Sequence, residues 1–578
     1  MVALSYLSII LLLLTTSRVG SFWLSFLLFI LGLLLSLAKR ERAYIFAFLL
    51  PIVNALPFFI KSGLPYNYFA PSLFLLAGLF LGTIPSWKNF KLPPAYGPFL
   101  LFLWTSAFFL LLRWSNISLS KLAFLKDTPV TTGGPRLSFG IFFPFITLAL
   151  YSVGFLAFYL FESIDFKKAL KFISGGIFIS TLIGLLQWAG FKFMTPIAGW
   201  ENNIRFNGTF SDPNAAGTFS GIIFALLVFY IEDKKDIPFA IPPLLMILLS
   251  NSKTGLIFVF ISLVFILFSG RVSKKLRVII ILSTLLLSIP FFPHLKRRLE
   301  KNYNAIFKWK RKNLDFALTG RIKLTKMALT GIKEFPISGI GAGNFLFYSK
   351  YKFGRSFDIV PSVYLSNTVE NGITGGLFFL LFLLPFAAGR ASPQRNVFYL
   401  ILFVFLFNNG IWNPEVMIIF WIVLAGIKPT KLKLPLKFVI PAFLLFIAGE
   451  IFSFNSLHPA TWSIKKGTYY DYGFHQLENN YRWTSQKAGL YKAFKGEIIT
   501  LETGFPFEKT KYTRQIIDIY WKGKKIKRVI LNRIKTQDYL RVSGTGFLEF
   551  RIKPYFVPSR LGLSKDPRTL GIKISGIW

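Results

Sequence analysis

The chain has 578 residues, of which 53% are hydrophobic and 18% aromatic, and its mean hydropathy is +0.54. These values exclude an ordinary soluble globular protein and indicate a membrane protein. The formal net charge is +42 and cysteine is absent, which excludes disulfides and thiol chemistry.

Long apolar runs bounded by charges predict about 15 transmembrane helices, since a hydrocarbon core of about 30 Å needs about 20 apolar residues. In chain order the predicted helices cover residues 2–16, 20–38, 43–60, 67–85, 96–114, 138–161, 169–190, 214–231, 237–250, 254–270, 277–293, 371–388, 396–409, 413–428 and 436–454. The first run lacks a small-residue cleavage site, and another apolar run follows it at once. We therefore expect a retained helix rather than a removed signal peptide.

The loops between these runs set the expected orientation. Every second loop is basic, from Lys39 and Arg40 near the start to Lys431 and Lys433 near the end. Because lysine and arginine close to helix ends are retained in the cytoplasm, the N-terminus is predicted inside and the C-terminus outside. The segment around residue 205, the large loop 294–370 and the tail 455–578 then lie on the extracytoplasmic side.

Much of the positive charge lies in those external parts. Loop 294–360 has fifteen Lys/Arg against four Asp/Glu, and residues 456–578 have twenty-three against nine. One interpretation is a solvated face or a thermophile-like lysine bias. The other is attraction to phosphates of membrane lipids, to a lipid-linked substrate or to an anionic glycan. A nucleic-acid partner is not expected on that side.

The stretch RFNGTFSDPNAAG at 205–217 combines Arg205 with Asp212, Pro213 and Asn214 just before an apolar helix. Pro and Asn favour a turn and a capped helix N-terminus. The partial positive charge at that terminus, with Arg205 nearby, predicts an anion site at the membrane surface. The alternative is that Arg205 is an interfacial anchor.

Three further segments carry candidate chemistry. The basic amphipathic stretch TGRIKLTKMAL contains Arg321 and Lys326, and GIGAGNF contains Gly341 and Gly343, whose N–H groups could approach an anion. In VYLSNTVENGITGG, Glu370 stands at the entrance to the next apolar run. An acidic group near membrane depth usually has a partner or a function.

In this order, and together with LLSNSKTG at 248–255, these segments resemble the O-antigen ligase and polymerase superfamily of bacterial envelope glycosyltransferases, over about residues 200–390. The resemblance implies a helical, metal-independent enzyme without a cofactor. Such an enzyme takes a glycan from undecaprenyl pyrophosphate and joins it to an acceptor hydroxyl outside the bacterial cytoplasmic membrane. The acceptor stays open between lipid A core, a growing glycan and a protein.

The resemblance also assigns residues. Arg205 and Arg321 match the family's arginines and would bind pyrophosphate, because guanidinium forks suit phosphate oxygens. Lys253 falls where many members have arginine, so it keeps the positive charge but lacks the paired N–H donors of a guanidinium group. Further candidate substrate contacts are Asn214, Gly341, Gly343, Tyr364 and Lys326.

One departure from the family concerns the base. Members usually carry a His-Asn pair at the positions that here are Pro361 and Ser362, and proline cannot take a proton. Asp358 or Glu370 is then a candidate base. His294, at the end of a predicted helix, is a further candidate, and its alternative role is a structural or headgroup contact. Alternatively, the mechanism depends on leaving-group stabilisation, the substrate differs, or activity is lost.

The tail 455–578 alternates β-type runs with turn residues, which predicts a separate all-β, sandwich-like domain. It resembles the accessory β-sandwich of some envelope glycosyltransferases. Arg482, Trp483 and Asp566 are candidate glycan contacts, since aromatic faces and planar donors suit sugar rings. Their alternative roles are a core aromatic and a structural Arg-Asp pair.

Two other function classes stay open from sequence. A flippase for lipid-linked glycans would distribute charges along a central lumen, whereas here polar residues cluster on one face. An inactive scaffold that binds glycan through the tail is the other alternative, because the family histidine is missing.

Overall fold

The computed structural model describes most of the chain. The described residues are 2–16, 22–38, 41–54, 71–83, 92–118, 137–191, 205–210, 212–268, 273–308, 315, 318, 320–353, 360–432, 434–457, 470–564, 566 and 568–576. Within them, the chain is helical up to residue 453 and forms an antiparallel sheet from residue 470 onward.

Nineteen α-helices lie in the described part of the chain. The first eight are α1 Val2–Thr16, α2 Phe22–Leu35, α3 Arg42–Val53, α4 Pro71–Leu81, α5 Tyr96–Ser118, α6 Leu137–Gly154, α7 Leu156–Phe161 and α8 Phe166–Trp188. The others are α9 Pro213–Tyr230, α10 Ile237–Ser250, α11 Lys253–Phe268, α12 Lys274–Ser288, α13 Phe292–Tyr303, α14 Arg321–Glu334, α15 Phe345–Phe353, α16 Val363–Ala387, α17 Pro393–Phe405, α18 Pro414–Ala425 and α19 Leu436–Ser453. Every predicted apolar run contains at least one of them.

Six helical segments among the described residues are long and apolar enough to cross a membrane. They are Tyr96–Arg113, Pro144–Phe161, Phe166–Trp188, Pro213–Tyr230, Val363–Ala387 and Leu436–Ser453. Several other apolar helices are shorter, for example Arg42–Val53 and Pro71–Leu81. The count of about 15 spans and the orientation with the N-terminus inside therefore stay predictions.

Helix α16 differs from its prediction in a way that matters for the site. It begins at Val363 rather than at residue 371, and the side chain of Ser362 caps it by accepting from the Leu365 N–H at 3.4 Å. The backbone is non-helical at Gly372, so two helical segments meet there, and Glu370 lies near the end of the first, directly before the apolar segment. The sequence did not predict the first segment because its polar residues are buried in protein.

Helices α9 and α11 pack closely because glycine stands at their contact. A Cβ at Gly217 would lie 2.1 Å from the Cβ of Ser252, and a Cβ at Gly255 would lie 2.7 Å from the Gly217 carbonyl oxygen. Both approaches require the absence of a side chain. The glycines of RFNGTFSDPNAAG and LLSNSKTG thus bring the N-termini of two helices side by side.

The C-terminal sheet has six described strands. They are β1 Tyr470–Glu478, β2 Tyr481–Thr503, β3 Arg514–Trp521, β4 Lys524–Asn532, β5 Gln537–Lys553 and β6 Ile572–Ser575. The order is β1-β2-β5-β3-β4, all pairs are antiparallel, and β6 pairs with β2. An antiparallel sheet in the tail agrees with the sequence.

The sequence predicts a sandwich, whereas the described strands form one continuous sheet. Strand β2 carries a bulge at Gly496, whose φ is +89°, and β6 pairs with residues 481–483 as well as 500–503 of β2. The single hydrogen-bonded sheet is therefore strongly curved, so that β6 pairs with both ends of β2. It encloses an apolar core that includes Leu490, Ile517 and Leu548, all buried.

The chain forms two compact units. The first contains the described residues of 1–107, 145–345 and 357–449, and the second those of 108–144, 346–356 and 450–578. The last turns of α5 and α19 thus belong to the unit that contains the sheet. A domain boundary between residues 454 and 455 stays a prediction.

Candidate active site

Arg205 lies just before α9 and is held in place by two hydrogen bonds. Its Nε donates to the Ser250 carbonyl oxygen at 3.0 Å, at the end of α10, and its Nη2 donates to Asn214 Oδ1 at 2.8 Å. Within the described residues its Nη1 has no hydrogen-bond partner. The guanidinium is therefore fixed in orientation while some of its five donors are left for a ligand.

Arg321 is the first residue of α14 and is anchored in a similar way. Its Nη1 donates to the carbonyl oxygen of Phe407, in the loop that follows α17. No partner for its Nε or Nη2 is found in the part of the chain that the structure describes. A backbone carbonyl again positions a guanidinium without neutralising it.

The two arginines lie close enough for their charges to interact. Burial lowers the pKa of Arg205; the carboxylate of Asp212 opposes this shift and the charge of Arg321 adds to it. Burial also lowers the pKa of Arg321. Both groups stay charged at neutral pH, since the guanidinium group is not deprotonated in proteins. Two partly buried like charges in one place favour binding of an anion.

The N-terminal N–H groups of the neighbouring helices are already bonded to carboxylates. Asp212, rather than Asn214, caps α9: its Oδ1 accepts from Ala215 N at 3.0 Å and from Asn214 N. The Oδ1 of Asp315 accepts from Ile322 N and Lys323 N, at 2.9 and 3.2 Å, in α14. An anion at this place would therefore meet the arginine side chains rather than open helix ends.

A loop after α17 joins these helices. The Nδ2 of Asn408 donates to Thr218 Oγ1 in α9 at 3.1 Å and to Thr254 Oγ1 in α11 at 3.0 Å. Phe407, the preceding residue, holds Arg321. Lys253, half-buried, is the first residue of α11 and adjoins Thr254. One short loop thus connects the starts of α9, α11 and α14.

The glycine-rich turn between α14 and α15 is bound to α16. Gly341 N donates to the Glu370 carbonyl oxygen at 2.9 Å, and Gly343 N donates to Glu370 Oε2 at 3.1 Å. Ser106 Oγ accepts from Ala342 N at 2.9 Å. The N–H groups of this turn therefore contact the protein itself, and Glu370 is their principal partner.

Glu370 also borders a small polar cavity. The cavity has a volume of about 10 Å³, close to the size of one water molecule. Asn367, Asn409 and Thr147 contribute polar groups to its wall. Thr147 Oγ1 and Asn409 Nδ2 have no hydrogen-bond partner among the described residues, so this pocket contains unused hydrogen-bonding capacity.

Two further predicted site residues of the first unit, Tyr364 and Lys326, are described. Tyr364 donates from its hydroxyl to the Leu402 carbonyl oxygen at 2.9 Å, which ties α16 to α17. Lys326 is exposed on α14. Asp358 and the side chain of His294 lie outside the described residues.

In the sheet, the three predicted glycan contacts have structural partners. Trp483 is only 9% exposed and packs against Phe556, with ring centroids 5.9 Å apart. Arg482 donates to the His475 carbonyl oxygen at 2.6 Å. Asp566 pairs with Arg568 at 2.7 Å. Trp483 thus has the environment of a core aromatic, and Asp566 forms an Arg-Asp pair, with Arg568 rather than with Arg482. A glycan-binding role of the three residues stays a prediction.

Asn408, Asn409 and the carbonyl of Phe407 were missed by the sequence reasoning. They lie in LFNNGIWN, between two apolar runs. The available signal was the pair of adjacent asparagines directly after the first of these runs.

Comparison with known families bears on this arrangement. Residues 238–380 match the family model described as O-antigen ligase. This segment is similar to the O-antigen ligase family. The match confirms the resemblance predicted from the sequence and contains Lys253, Arg321 and Glu370, whereas Arg205 lies before it. A search of curated proteins finds no match.

The family match and the apolar helices together indicate a membrane protein of O-antigen or polysaccharide processing, with glycosyltransferase-like chemistry. Arg205 reaches the matched region through space, because the Ser250 carbonyl that holds it belongs to α10 within the match.

Proposed function

We propose that the chain is a glycosyltransferase that moves a glycan from undecaprenyl pyrophosphate to an acceptor hydroxyl. The proposal rests on Arg205 and Arg321, two interacting guanidinium groups that are each held by a backbone carbonyl. Their unused donors suit a pyrophosphate, which carries charge on several oxygens. The similarity of residues 238–380 to the O-antigen ligase family supports the choice of reaction.

In this reaction the acceptor oxygen attacks the anomeric carbon while the bond from that carbon to the pyrophosphate oxygen breaks. Negative charge grows on the leaving pyrophosphate, and both arginines stabilise it. Their anchors to Ser250 and Phe407 fix the donors before reaction, so little reorganisation is needed. One such preorganised donor contributes about 3–4 kcal/mol to transition-state stabilisation. Attack opposite the leaving group inverts the anomeric configuration.

The hydroxyl proton needs an acceptor, and Glu370 and Asp358 are the candidates. Glu370 is only 4% exposed and its Oε2 accepts from Gly343, which supports a positioning role for this carboxylate. We propose that leaving-group stabilisation supplies most of the rate. Lys253 adds positive charge at the start of α11 without forming a fork.

The donor lipid is proposed to enter laterally from the bilayer, with the site on the extracytoplasmic face of a bacterial cytoplasmic membrane. The acceptor is a hydroxyl of a lipid A core, of a growing glycan or of a protein. No metal or other cofactor is assigned a role in this proposal.

The test measures transfer from radiolabelled undecaprenyl-pyrophosphate oligosaccharide by purified protein, with products separated by gel and identified by mass. Arg205→Ala and Arg321→Ala are each expected to lower kcat by about 10²–10³-fold. Arg321→Lys should recover only part of this loss, because lysine keeps the charge without the fork. The mass of the product distinguishes polymerase from ligase.

Lys333→Ala is the matched control, since it removes an exposed cation from the same helix as Arg321. A second measurement needs no acceptor: binding of inorganic pyrophosphate by calorimetry should weaken in both arginine variants and not in the control. Equal activity of wild type and both alanine variants would overturn the proposal. Transbilayer movement of the donor without transfer would favour a flippase instead.

A further inference from the structure

The sheet contains a cleft that is separate from the three residues predicted to bind glycan. It has a volume of about 660 Å³ and lies where β3 begins and β5 ends. Register pairing puts Ile516 of β3 opposite Lys553 of β5. This volume falls within the range of about 300–1,000 Å³ that is usual for ligand sites.

The cleft combines aromatic faces with positive charge. Tyr512 and Tyr555 line it and are 46% and 44% exposed, so their rings are accessible. Lys511, Arg514 and Lys553 supply three cations, all on exposed residues. Asp and Glu are absent from the described lining residues. An anion is therefore not repelled, and the cations are not neutralised from within the cleft.

A buried glutamine fixes the wall of the cleft. Gln515 is fully buried, and its Nε2 donates to the carbonyl oxygens of Pro554 and Gly571 at 2.9 and 3.0 Å. Its Oε1 accepts from Thr503 Oγ1 at 2.7 Å. Because Pro554 stands between Lys553 and Tyr555, this anchor sets the positions of one cation and one aromatic ring.

The second tyrosine rests on an aromatic cluster. Tyr512 packs edge-on against Phe505, with centroids 6.1 Å apart, and Phe505 packs against Phe556 at 5.6 Å. Both phenylalanines are buried. The ring of Tyr512 is thus held by buried aromatic side chains, which lowers the entropy lost when a ligand binds.

We infer that this cleft binds an acidic oligosaccharide, meaning a glycan whose sugar rings carry carboxylate or phosphate groups. Tyrosine faces suit the C–H face of a sugar ring, and the cations suit the acidic substituent. A membrane-binding surface would instead present exposed large aliphatic or tryptophan side chains. The cleft presents tyrosine hydroxyls, lysine and arginine in a concave site.

The test uses the full-length protein in detergent and does not involve the transfer reaction, so its failure is independent of the proposed function. Calorimetry compares hexagalacturonate, an acidic hexasaccharide, with maltohexaose, a neutral one. We expect binding of the acidic hexasaccharide only, weakening as salt increases. Tyr512→Ala and Arg514→Ala should each raise its Kd by about tenfold or more, the effect of one lost charged or aromatic contact.

Matched controls come from the same sheet. Tyr539→Ala and Arg541→Ala remove an exposed tyrosine and an exposed arginine that do not line the cleft, and should leave Kd unchanged. Unchanged thermal unfolding of all four variants shows that the fold is intact. The inference is overturned if hexagalacturonate does not bind or if maltohexaose binds equally well. It is also overturned if the cleft variants lose binding to phosphatidylglycerol vesicles and not to the oligosaccharide.

Discussion

Gly343 donates its backbone N–H to Oε2 of Glu370 at 3.1 Å, so a residue predicted to bind substrate is bonded to a residue predicted to act as a base. Gly341 reinforces the contact through the Glu370 carbonyl oxygen. The glycine-rich turn and helix α16 therefore form one structural unit. The carboxylate at its centre is buried.

The two roles of Glu370 can be separated by substitution. Glu370→Gln keeps an oxygen that accepts from Gly343, so thermal unfolding should match wild type and transfer should stay within about tenfold, as expected for a positioning group. Glu370→Ala leaves a buried N–H without a partner and should destabilise the protein by about 1–3 kcal/mol. A folded glutamine variant with a loss of 10²-fold or more would identify Glu370 as the base.

A second prediction concerns the break in α16 at Gly372. Its φ is +70°, and a Cβ there would lie 1.9 Å from the Ile337 carbonyl oxygen. Gly190 has a φ of +99° with no atom within 4 Å of its would-be Cβ, which makes it a matched control. Gly190→Ala should lower the free energy of unfolding only by the strain of a left-handed backbone conformation, about 1–2 kcal/mol. Gly372→Ala should cost clearly more, because a backbone carbonyl must move.

Thermal unfolding in detergent, followed by tryptophan fluorescence, measures both glycine variants under one condition. Equal shifts in the midpoint would contradict the prediction, since they would show that the turn around Ile337 yields freely to the added methyl group.

A third prediction concerns Asn408. Asn408→Ala removes the bonds to Thr218 and Thr254 and loosens the loop that holds Arg321. We expect kcat for transfer to fall by about tenfold, with a modest change in stability of about 1–2 kcal/mol for two hydrogen bonds. Thr218→Ser keeps the acceptor and should behave like wild type, whereas Thr218→Val removes one of the two bonds and should show part of the effect of Asn408→Ala. An unchanged kcat in both disruptive variants would exclude a positioning role.

The sequence revealed the helices well because lipid requires long apolar runs, and each predicted run contains a helix. The sequence was less informative about the environment and contacts of the polar segments. The start of α16 was placed too late because Asn367 and Glu370 are buried and find hydrogen-bond partners inside the protein. The links from Ser250 to Arg205 and from Phe407 to Arg321 use backbone carbonyls, which every residue type supplies. Contacts of this kind leave no signature in a single sequence.

A buried ion pair in the second unit was not predicted either. Arg113 and Glu450 are fully buried, and Arg113 Nη2 lies 2.5 Å from Glu450 Oε2. The same Nη2 also donates to Ser453 Oγ at 3.1 Å. Arg113 Nε and Nη1 and Glu450 Oε1 have no hydrogen-bond partner among the described residues. The pair joins the end of α5 to the end of α19.

The fourth prediction follows from that incomplete hydrogen bonding. Glu450→Gln leaves the buried charge of Arg113 without a counter-ion and should destabilise the protein by about 3–5 kcal/mol. The double variant Arg113→Met with Glu450→Leu removes both charges at similar volume, so it should be much closer to wild type or more stable. Thermal unfolding of the full chain in detergent measures all three proteins. If the double variant is less stable than Glu450→Gln, the attraction between the two charges exceeds their desolvation cost, and the pair is a net source of stability.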